Sequence, residues 1–230
     1  MDNALSQISK AGVAVWLDDL SRERLKNHSL EKLIKEDNVV GVTTNPSIFS
    51  SAIGKSDLYK NDIVKHKDKT IEEIITILTT DDVRNACDLF SQTFANTQGR
   101  DGRISIEVDP RFARDAKSSI LQGIQLWKLI DRPNLLIKVP ATTEGLPVIS
   151  ELLSEGISVN VTLIFSVARY KQVLDAFATG LENRLSGGKS ISDIHSVASF
   201  FISRIDSEVD KQLPVDSELK GNIAIANAIM

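Results

Sequence analysis

The sequence predicts an α/β protein in which strands of a parallel sheet alternate with helices. Six short apolar runs rich in β-branched residues are separated by stretches with helical periodicity, a pattern typical of buried parallel strands with helical crossovers. The 230 residues are 42% hydrophobic and 25% charged, as in an ordinary globular protein. We therefore expect one large domain, built as a closed barrel or as a doubly wound sheet.

The strands are predicted in chain order at residues 13–17, 39–43, 104–108, 135–139, 159–165 and 197–202. The longest connection, at about residues 46–103, is predicted to be a helical insertion in the same domain, because no Pro/Gly/Ser-rich spacer flanks it. Within it, Thr79-Thr80-Asp81-Asp82 is predicted to begin a helix with capping residues.

Composition and charge argue against several classes of function. The net charge of -4 comes from interspersed acids and bases, so we expect no nucleic-acid partner. The single cysteine, Cys87, is expected to be a packed thiol. The chain opens without a basic-then-apolar leader and has no apolar run long enough to span a bilayer, so we expect a cytoplasmic protein without a membrane partner. The three histidines, His28, His66 and His195, do not have the spacing of metal ligands, so we expect no bound metal.

Lys138 is the most informative residue, because it lies inside the apolar run LLIKVP at residues 135–140. Lysine is seldom buried unless its ammonium is paired or gives up its proton. A free amine can attack a carbonyl and form a Schiff base, so Lys138 is a candidate covalent catalyst. The alternative is a lysine that points outward or marks an edge strand.

Polar side chains follow or end the other predicted strands. The first strand is followed by Asp18-Asp19, the second by Thr43-Thr44-Asn45-Pro46, the third carries Glu107 and Asp109, and the fifth carries Asn160 and Thr162. Parallel α/β folds place their chemistry at the carboxyl ends of the strands, where these groups converge. An amine, carboxylates and hydrogen-bonding side chains suit Schiff-base chemistry. One of the two aspartates could instead cap a helix.

Six blocks of the sequence, in this order, resemble segments of the transaldolase family. The resemblance covers nearly the whole chain and is closest to the longer bacterial branch. The blocks are VWLDDLSR (15–22), GVTTNPS (41–47), SIEVDPR (105–111), NLLIKVPAT (134–142), GISVNVTLIFS (156–166) and ASFFISRID (198–206).

The resemblance implies a (β/α)8 TIM barrel of the class I aldolase type, working without metal or organic cofactor. It implies transfer of a dihydroxyacetone unit from sedoheptulose 7-phosphate to glyceraldehyde 3-phosphate, giving erythrose 4-phosphate and fructose 6-phosphate. Lys138 corresponds to the Schiff-base lysine, and Asp18 to the carboxylate that exchanges the hydroxyl proton. Glu107 and Thr162 correspond to the pair that positions a catalytic water.

The resemblance also implies four substrate-binding residues for a sugar phosphate. Asn45 and Asn160 correspond to residues that hydrogen-bond the dihydroxyacetone moiety. Ser199 and Arg204 correspond to residues of the phosphate site, where a guanidinium fork donates two parallel hydrogen bonds.

The chain holds about six β/α units and stops at Met230, whereas the family barrel has eight strands. An open sheet exposes the edges of its first and last strands, so we expect self-association through these edges. Two alternatives to an active transaldolase stay open: a truncated, catalytically impaired derivative that acts only as an assembly partner, and a related Schiff-base aldolase.

Overall fold

The computed structural model describes residues 3–229, and this part of the chain contains six β-strands that alternate with α-helices. Each predicted strand is confirmed, with ends that differ by a residue or two. The elements in chain order are α1 (Ala4–Lys10), β1 (Val15–Leu17), α2 (Arg22–Lys26), α3 (Ser29–Glu36), β2 (Val39–Val42), α4 (Pro46–Lys55), α5 (Lys60–Lys65), α6 (Ile71–Leu89), α7 (Ser91–Asn96), β3 (Arg103–Glu107), α8 (Ala116–Ile130), β4 (Leu135–Pro140), α9 (Gly145–Ser154), β5 (Val159–Ile164), α10 (Val167–Ser186), β6 (Ser196–Phe200), α11 (Ser203–Val209) and α12 (Ile223–Ile229).

The strands follow one another in the sheet in the order β1-β2-β3-β4-β5-β6. The pairs β1–β2, β2–β3 and β5–β6 are parallel, which confirms the predicted α/β class. The chain divides into two compact units, one of residues 1–110 and 123–137, the other of residues 111–122 and 138–230. No helix among residues 3–229 is long and apolar enough to cross a bilayer.

In the first unit, β1 and β2 approach closely because β2 has a glycine where the indole of Trp16 lies. Trp16 pairs with Gly41 in the parallel register. A Cβ atom at position 41 would lie only 2.5 Å from Cε2 of Trp16. Gly41 therefore provides the space that lets the Trp16 ring pack against β2.

The connection between β2 and β3 is helical, as predicted, but one of its helices begins earlier than the sequence indicated. The helix α6 begins after Thr70, whose side chain accepts from Glu73 N–H while the Glu73 carboxylate accepts from Thr70 N–H, forming a capping box. The prediction of a helix start at residues 79–82 is wrong. Thr79 and Thr80 instead donate to carbonyl groups one turn back, which satisfies their hydroxyls inside the helix.

The second unit is built around the packing of α9 on α10. Apolar residues of α9, including Leu152 and Leu153, are fully buried. A Cβ atom at Gly180 of α10 would lie 2.7 Å from both Leu153 Cβ and the Ser150 carbonyl oxygen, so only glycine permits this approach. The Ser150 hydroxyl donates to the carbonyl of Ala176 at 2.9 Å and fixes the register of the two helices.

Candidate active site

The eight predicted site residues fall in both compact units. The first unit holds Asp18, Asn45 and Glu107, and the second holds Lys138, Asn160, Thr162, Ser199 and Arg204. Each of them lies on or directly after a strand, except two: Asn45 lies immediately before α4, and Arg204 lies in the first turn of α11.

In the first unit, two hydrogen bonds hold the strand ends that carry Asp18, Asn45 and Glu107 side by side. The N–H of Thr43 donates to the carbonyl of Leu17 at 2.8 Å, next to Asp18. The hydroxyl of Thr44 donates to the carbonyl of Ser105 at 2.8 Å, two positions before Glu107. The carboxyl ends of β1, β2 and β3 therefore converge, as parallel pairing requires.

Asn45 has a structural role in addition to the predicted binding role. It caps α4, because its Oδ1 accepts from the N–H of Ile48 at 3.0 Å and Pro46 occupies the first helical turn. With its oxygen held by the helix, the side-chain NH2 group is the donor left for a ligand. Asn45 also lines an open cavity of about 480 Å³ between the β1–α2 loop and α4, which is otherwise lined by Asp19, Ser21, Glu23, Ser47, Ile48, Ser51, Ala52, Lys55 and Ser56.

The two aspartates after β1 have different environments. Asp19 accepts from Nε of Arg24 at 2.6 Å, whereas Asp18 is exposed to solvent. The residue that caps α2 is Ser21, whose side chain accepts from Arg24 N–H. The alternative that an aspartate caps this helix is therefore wrong.

Lys138 is the fourth of the six residues of β4 and is only 6% exposed. Its neighbours Ile137 and Val139 are fully buried, and every residue of β4 is buried. The alternative of an outward-facing or edge lysine is wrong. Because Lys138 is buried, its amine is largely shielded from bulk water and can contact only protein groups or a ligand that enters the site.

The strand β5 places two further predicted residues beside β4 and β6. Asn160 and Thr162 are 2% and 1% exposed. The Ser199 hydroxyl donates to Oδ1 of Asn160 at 2.9 Å, so the structure brings these two predicted residues into direct contact. The carbonyl of Thr162 accepts from the N–H of Ala141 at 2.8 Å, just beyond the end of β4.

An irregularity in β5 was not predicted from the sequence. The β5–β6 register shifts between Val161 and Ile164, and Leu163 has φ of 62° with 38% of its surface exposed. Bulges of this kind re-aim side chains and are common next to active sites.

Arg204 is exposed on α11, and its guanidinium lies over one ring of an aromatic pair. This contact was not predicted from the sequence. Its guanidinium carbon lies 4.7 Å from the ring centroid of Phe201. The Phe201 ring in turn meets Phe165 edge to face, with centroids 5.2 Å apart. The signal in the sequence was an aromatic residue at the end of β6 shortly before an arginine, a spacing compatible with cation–π contact.

One buried hydroxyl, just after β2 in the first unit, was also missed. Thr43 Oγ1 is buried and has no hydrogen-bond partner among the described residues. No signal in the sequence distinguishes it from Thr44, whose hydroxyl is bonded. Among the described residues, no group of three or more His, Cys, Asp or Glu side chains is placed so that it could hold a metal ion.

The family model and the similar proteins that match this chain point to the same family. Residues 15–230 match the family model described as Transaldolase/Fructose-6-phosphate aldolase. The chain is 53% identical to the transaldolases of Mycobacterium tuberculosis (strain ATCC 25618 / H37Rv) and Mycolicibacterium smegmatis, covering 97% of this chain and 62% of each relative. It is 51% identical to the transaldolase of Thermobifida fusca, covering 99% of this chain and 64% of the relative. The chain thus spans less than two thirds of the length of these curated relatives.

Proposed function

This chain belongs to the transaldolase/fructose-6-phosphate aldolase family, and from that premise we propose that it acts as a transaldolase. In the proposed reaction, a dihydroxyacetone unit passes from sedoheptulose 7-phosphate to glyceraldehyde 3-phosphate through a Schiff base on Lys138. The products are erythrose 4-phosphate and fructose 6-phosphate, intermediates of the non-oxidative pentose phosphate pathway. The (β/α)8 aldolase fold class agrees with the six β/α units of this chain.

The single observation that carries the proposal is the buried amine on β4. Lys138 is 6% exposed in a strand that is otherwise wholly apolar. Its own unit also contains Thr162 and the hydrogen-bonded Asn160–Ser199 pair, which are polar groups suited to hydroxyls of a sugar. Shelter from bulk water suits a nucleophilic amine that must attack a carbonyl substrate.

The first half of the reaction builds the imine. The Nζ lone pair of Lys138 attacks the ketose carbonyl carbon, and the oxygen takes a proton to give a carbinolamine. Loss of this hydroxyl as water forms the imine, with Glu107 and Thr162 positioning the water that carries the protons. The protonated imine then acts as an electron sink for the next step.

The second half breaks and remakes a carbon–carbon bond. Asp18 accepts the proton of the C4 hydroxyl, the C3–C4 electron pair moves into the imine, and the aldose phosphate leaves. The remaining enamine attacks the acceptor aldehyde, and Asp18 returns its proton to the new alkoxide. Hydrolysis of the imine then frees Lys138 and the ketose product.

The binding residues have separate tasks in this scheme. Asn45 and Asn160 hydrogen-bond the dihydroxyacetone part, while Ser199 and Arg204 bind phosphate. The stacking of Arg204 on the Phe201 ring supports this role, because it restricts the guanidinium before the anion arrives.

Trapping of the intermediate tests the proposal directly. Incubation with fructose 6-phosphate followed by borohydride is expected to leave a dihydroxyacetone-derived adduct on the Lys138 peptide, detected by mass spectrometry. Lys138→Ala should lose the adduct and nearly all turnover, whereas the exposed control Lys128→Ala should keep both. Adduct that persists in Lys138→Ala would refute the assignment.

The carboxylates are separated by the size of the trapped adduct. Asp18→Asn cannot accept the hydroxyl proton, so its adduct should retain all six carbons and the phosphate of fructose 6-phosphate. Glu107→Gln should slow formation of any adduct. If both variants accumulated the same three-carbon adduct at the same rate, the two roles would be wrongly assigned.

We also propose that the protein works in the cytoplasm and associates with itself through the strands at the ends of the sheet. The strand β6 pairs with β5, and its Ala198 is exposed. Light scattering of the purified chain tests this, because a strictly monomeric protein at micromolar concentration would exclude it. Adduct formation without turnover of sedoheptulose 7-phosphate would favour the impaired derivative over the transaldolase.

A further inference from the structure

Four polar side chains, which we call the Arg22 cluster, join α2 to the helical connection between β2 and β3. The cluster comprises Arg22, Tyr59, Asp62 and Asp82. Nε of Arg22 donates to Oδ1 of Asp82 at 2.8 Å, and its Nη1 donates to Asp62. The Tyr59 hydroxyl donates to Oδ2 of Asp82 at 2.7 Å and accepts from the backbone N–H of Arg22 at 2.9 Å.

The core of this cluster is removed from water. Tyr59 and Asp82 are fully buried, Arg22 is 8% exposed, and its guanidinium carbon lies 4.5 Å from the centre of the Tyr59 ring. Burial raises the pKa of Asp82, against the opposing effect of the hydrogen bonds from Tyr59 and Arg22. Charges buried in this way contribute little net stability compared with apolar groups of the same volume. What these buried charges provide is orientation, because a rigid guanidinium can donate hydrogen bonds to its partners in only a few directions.

The cluster lies directly after the loop that carries Asp18. Arg22 is the first residue of α2, and the loop from Asp18 to Ser21 leads into it from β1. At its other end the loop is held by the hydrogen bond from Thr43 N–H to the Leu17 carbonyl. Leu20, between the two anchors, is fully buried. The path of the loop therefore depends on both β2 and the helical connection.

We propose that Tyr59 and Asp82 are positioning residues, which act through Arg22 to hold Asp18 where it can exchange a proton during carbon–carbon bond cleavage. The inference rests on the proposed function and gives the helical connection between β2 and β3 a role in the reaction. Proton transfer requires heavy atoms within about 2.6–3.2 Å, and a displacement of about 1 Å can lower the rate on the order of a hundredfold.

The test compares two adducts within one sample. After incubation with fructose 6-phosphate and a borohydride quench, the ratio of six-carbon to three-carbon adduct on Lys138 reports cleavage relative to imine formation. Tyr59→Phe deletes one hydroxyl and should raise this ratio about tenfold or more, with total adduct formation changed less than about twofold. A role in stability alone would lower both adducts together and leave the ratio unchanged.

Matched variants separate positioning from destabilisation. Asn134→Ala removes another buried network in the same unit, in which the Asn134 side chain bonds the carbonyls of Cys87 and Gly102. It should lower stability without changing the ratio. In an Asp18→Asn background, Tyr59→Phe should cause no further change, because the group that it positions is already absent. A ratio unchanged in Tyr59→Phe, or an equal change in Asn134→Ala, would overturn the inference.

A second measurement needs no substrate. Amide hydrogen exchange at residues 18–22 should accelerate about tenfold or more in Tyr59→Phe but not in Asn134→Ala. If Tyr59→Phe fails to fold, Asp82→Asn replaces it, since its amide preserves the shape of the side chain and loses the charge. Unchanged exchange in the loop would refute the inference, whereas a wild-type chain that forms no adduct would instead refute the proposed function.

Discussion

Replacement of Gly41 by alanine is expected to destabilise the first unit by overpacking. The added Cβ atom would lie 2.5, 2.6 and 3.0 Å from three carbon atoms of the Trp16 indole, whereas carbon atoms in contact lie about 3.5–4.0 Å apart. The ring must therefore move by about 1 Å. Overpacking of this kind costs about 1–3 kcal/mol, and alanine recovers about 0.5–1 kcal/mol in a strand, so we expect a net loss of up to about 2.5 kcal/mol.

The free energy of unfolding is measured by urea titration with circular dichroism. A Trp127→Phe background isolates the emission of Trp16, which should shift if the ring is displaced. The control is Gly54→Ala, because a Cβ atom there meets nothing within 4 Å and alanine favours the helix α4. In a Trp16→Leu background, Gly41→Ala should cost much less free energy of unfolding than it does in the wild type. A Gly41→Ala chain as stable as the wild type, with unchanged Trp16 emission, would refute this account of the packing.

Three further predictions concern stability and are tested by thermal or urea unfolding. Arg103 is 2% exposed, its Nη1 has no partner among the described residues, and burial lowers its pKa to about 10. Arg103→Met should therefore raise the free energy of unfolding by about 1 kcal/mol at pH 7, despite the lost bond to the Gly99 carbonyl. Because the unfolded chain binds more protons than the folded chain above pH 10, the wild type should gain stability there. The difference in free energy of unfolding between Arg103→Met and the wild type should therefore shrink. A difference that stays constant with pH would contradict burial of the Arg103 charge as its cause. Thr43→Val removes a buried hydroxyl without a described partner and should leave stability unchanged or up to about 1–2 kcal/mol higher, whereas a clear loss would mean that the hydroxyl is bonded. Thr70→Ala removes the cap of α6 and should cost about 1 kcal/mol, while a neutral effect would show that the cap is dispensable. Since hydrogen bonds from Thr70 lower the pKa of Glu73, this cap should stabilise the protein above the ordinary carboxyl pKa and weaken as the pH falls through the lowered value.

The sequence was sufficient to predict the strands and the polar residues that lie at or near their ends. Hydrophobic runs of strand length depend on local spacing, and all six were found within a residue or two of their predicted positions. Lys138 could be singled out for the same reason, because a charge within an apolar strand stands out against its neighbours. Its burial at 6% exposure agrees with that interpretation. The roles of the site residues stay predictions.

Other features depended on which of several similar residues finds a partner. Thr70 and Thr79 are each followed by a carboxylate three positions later, but only Thr70 forms a capping box, with Glu73. The Asp82 carboxylate instead accepts hydrogen bonds from Arg22 and Tyr59. Asp18 and Asp19 were the candidates for a helix cap after β1. Ser21 caps α2 instead, whereas the Asp19 carboxylate pairs with the Arg24 side chain.

The Arg22 cluster marks the limit of prediction from sequence. Arg22 and Asp82 are 60 positions apart, and neither has a local signature that names the other. Their pairing arises because α2 and α6 pack together in the folded chain and exclude water, so each polar group must find its partner among those that the packing brings near. Periodicity and turn chemistry act over a few residues and can be read along the chain. Complementarity between distant side chains exists only after the elements that carry them have packed.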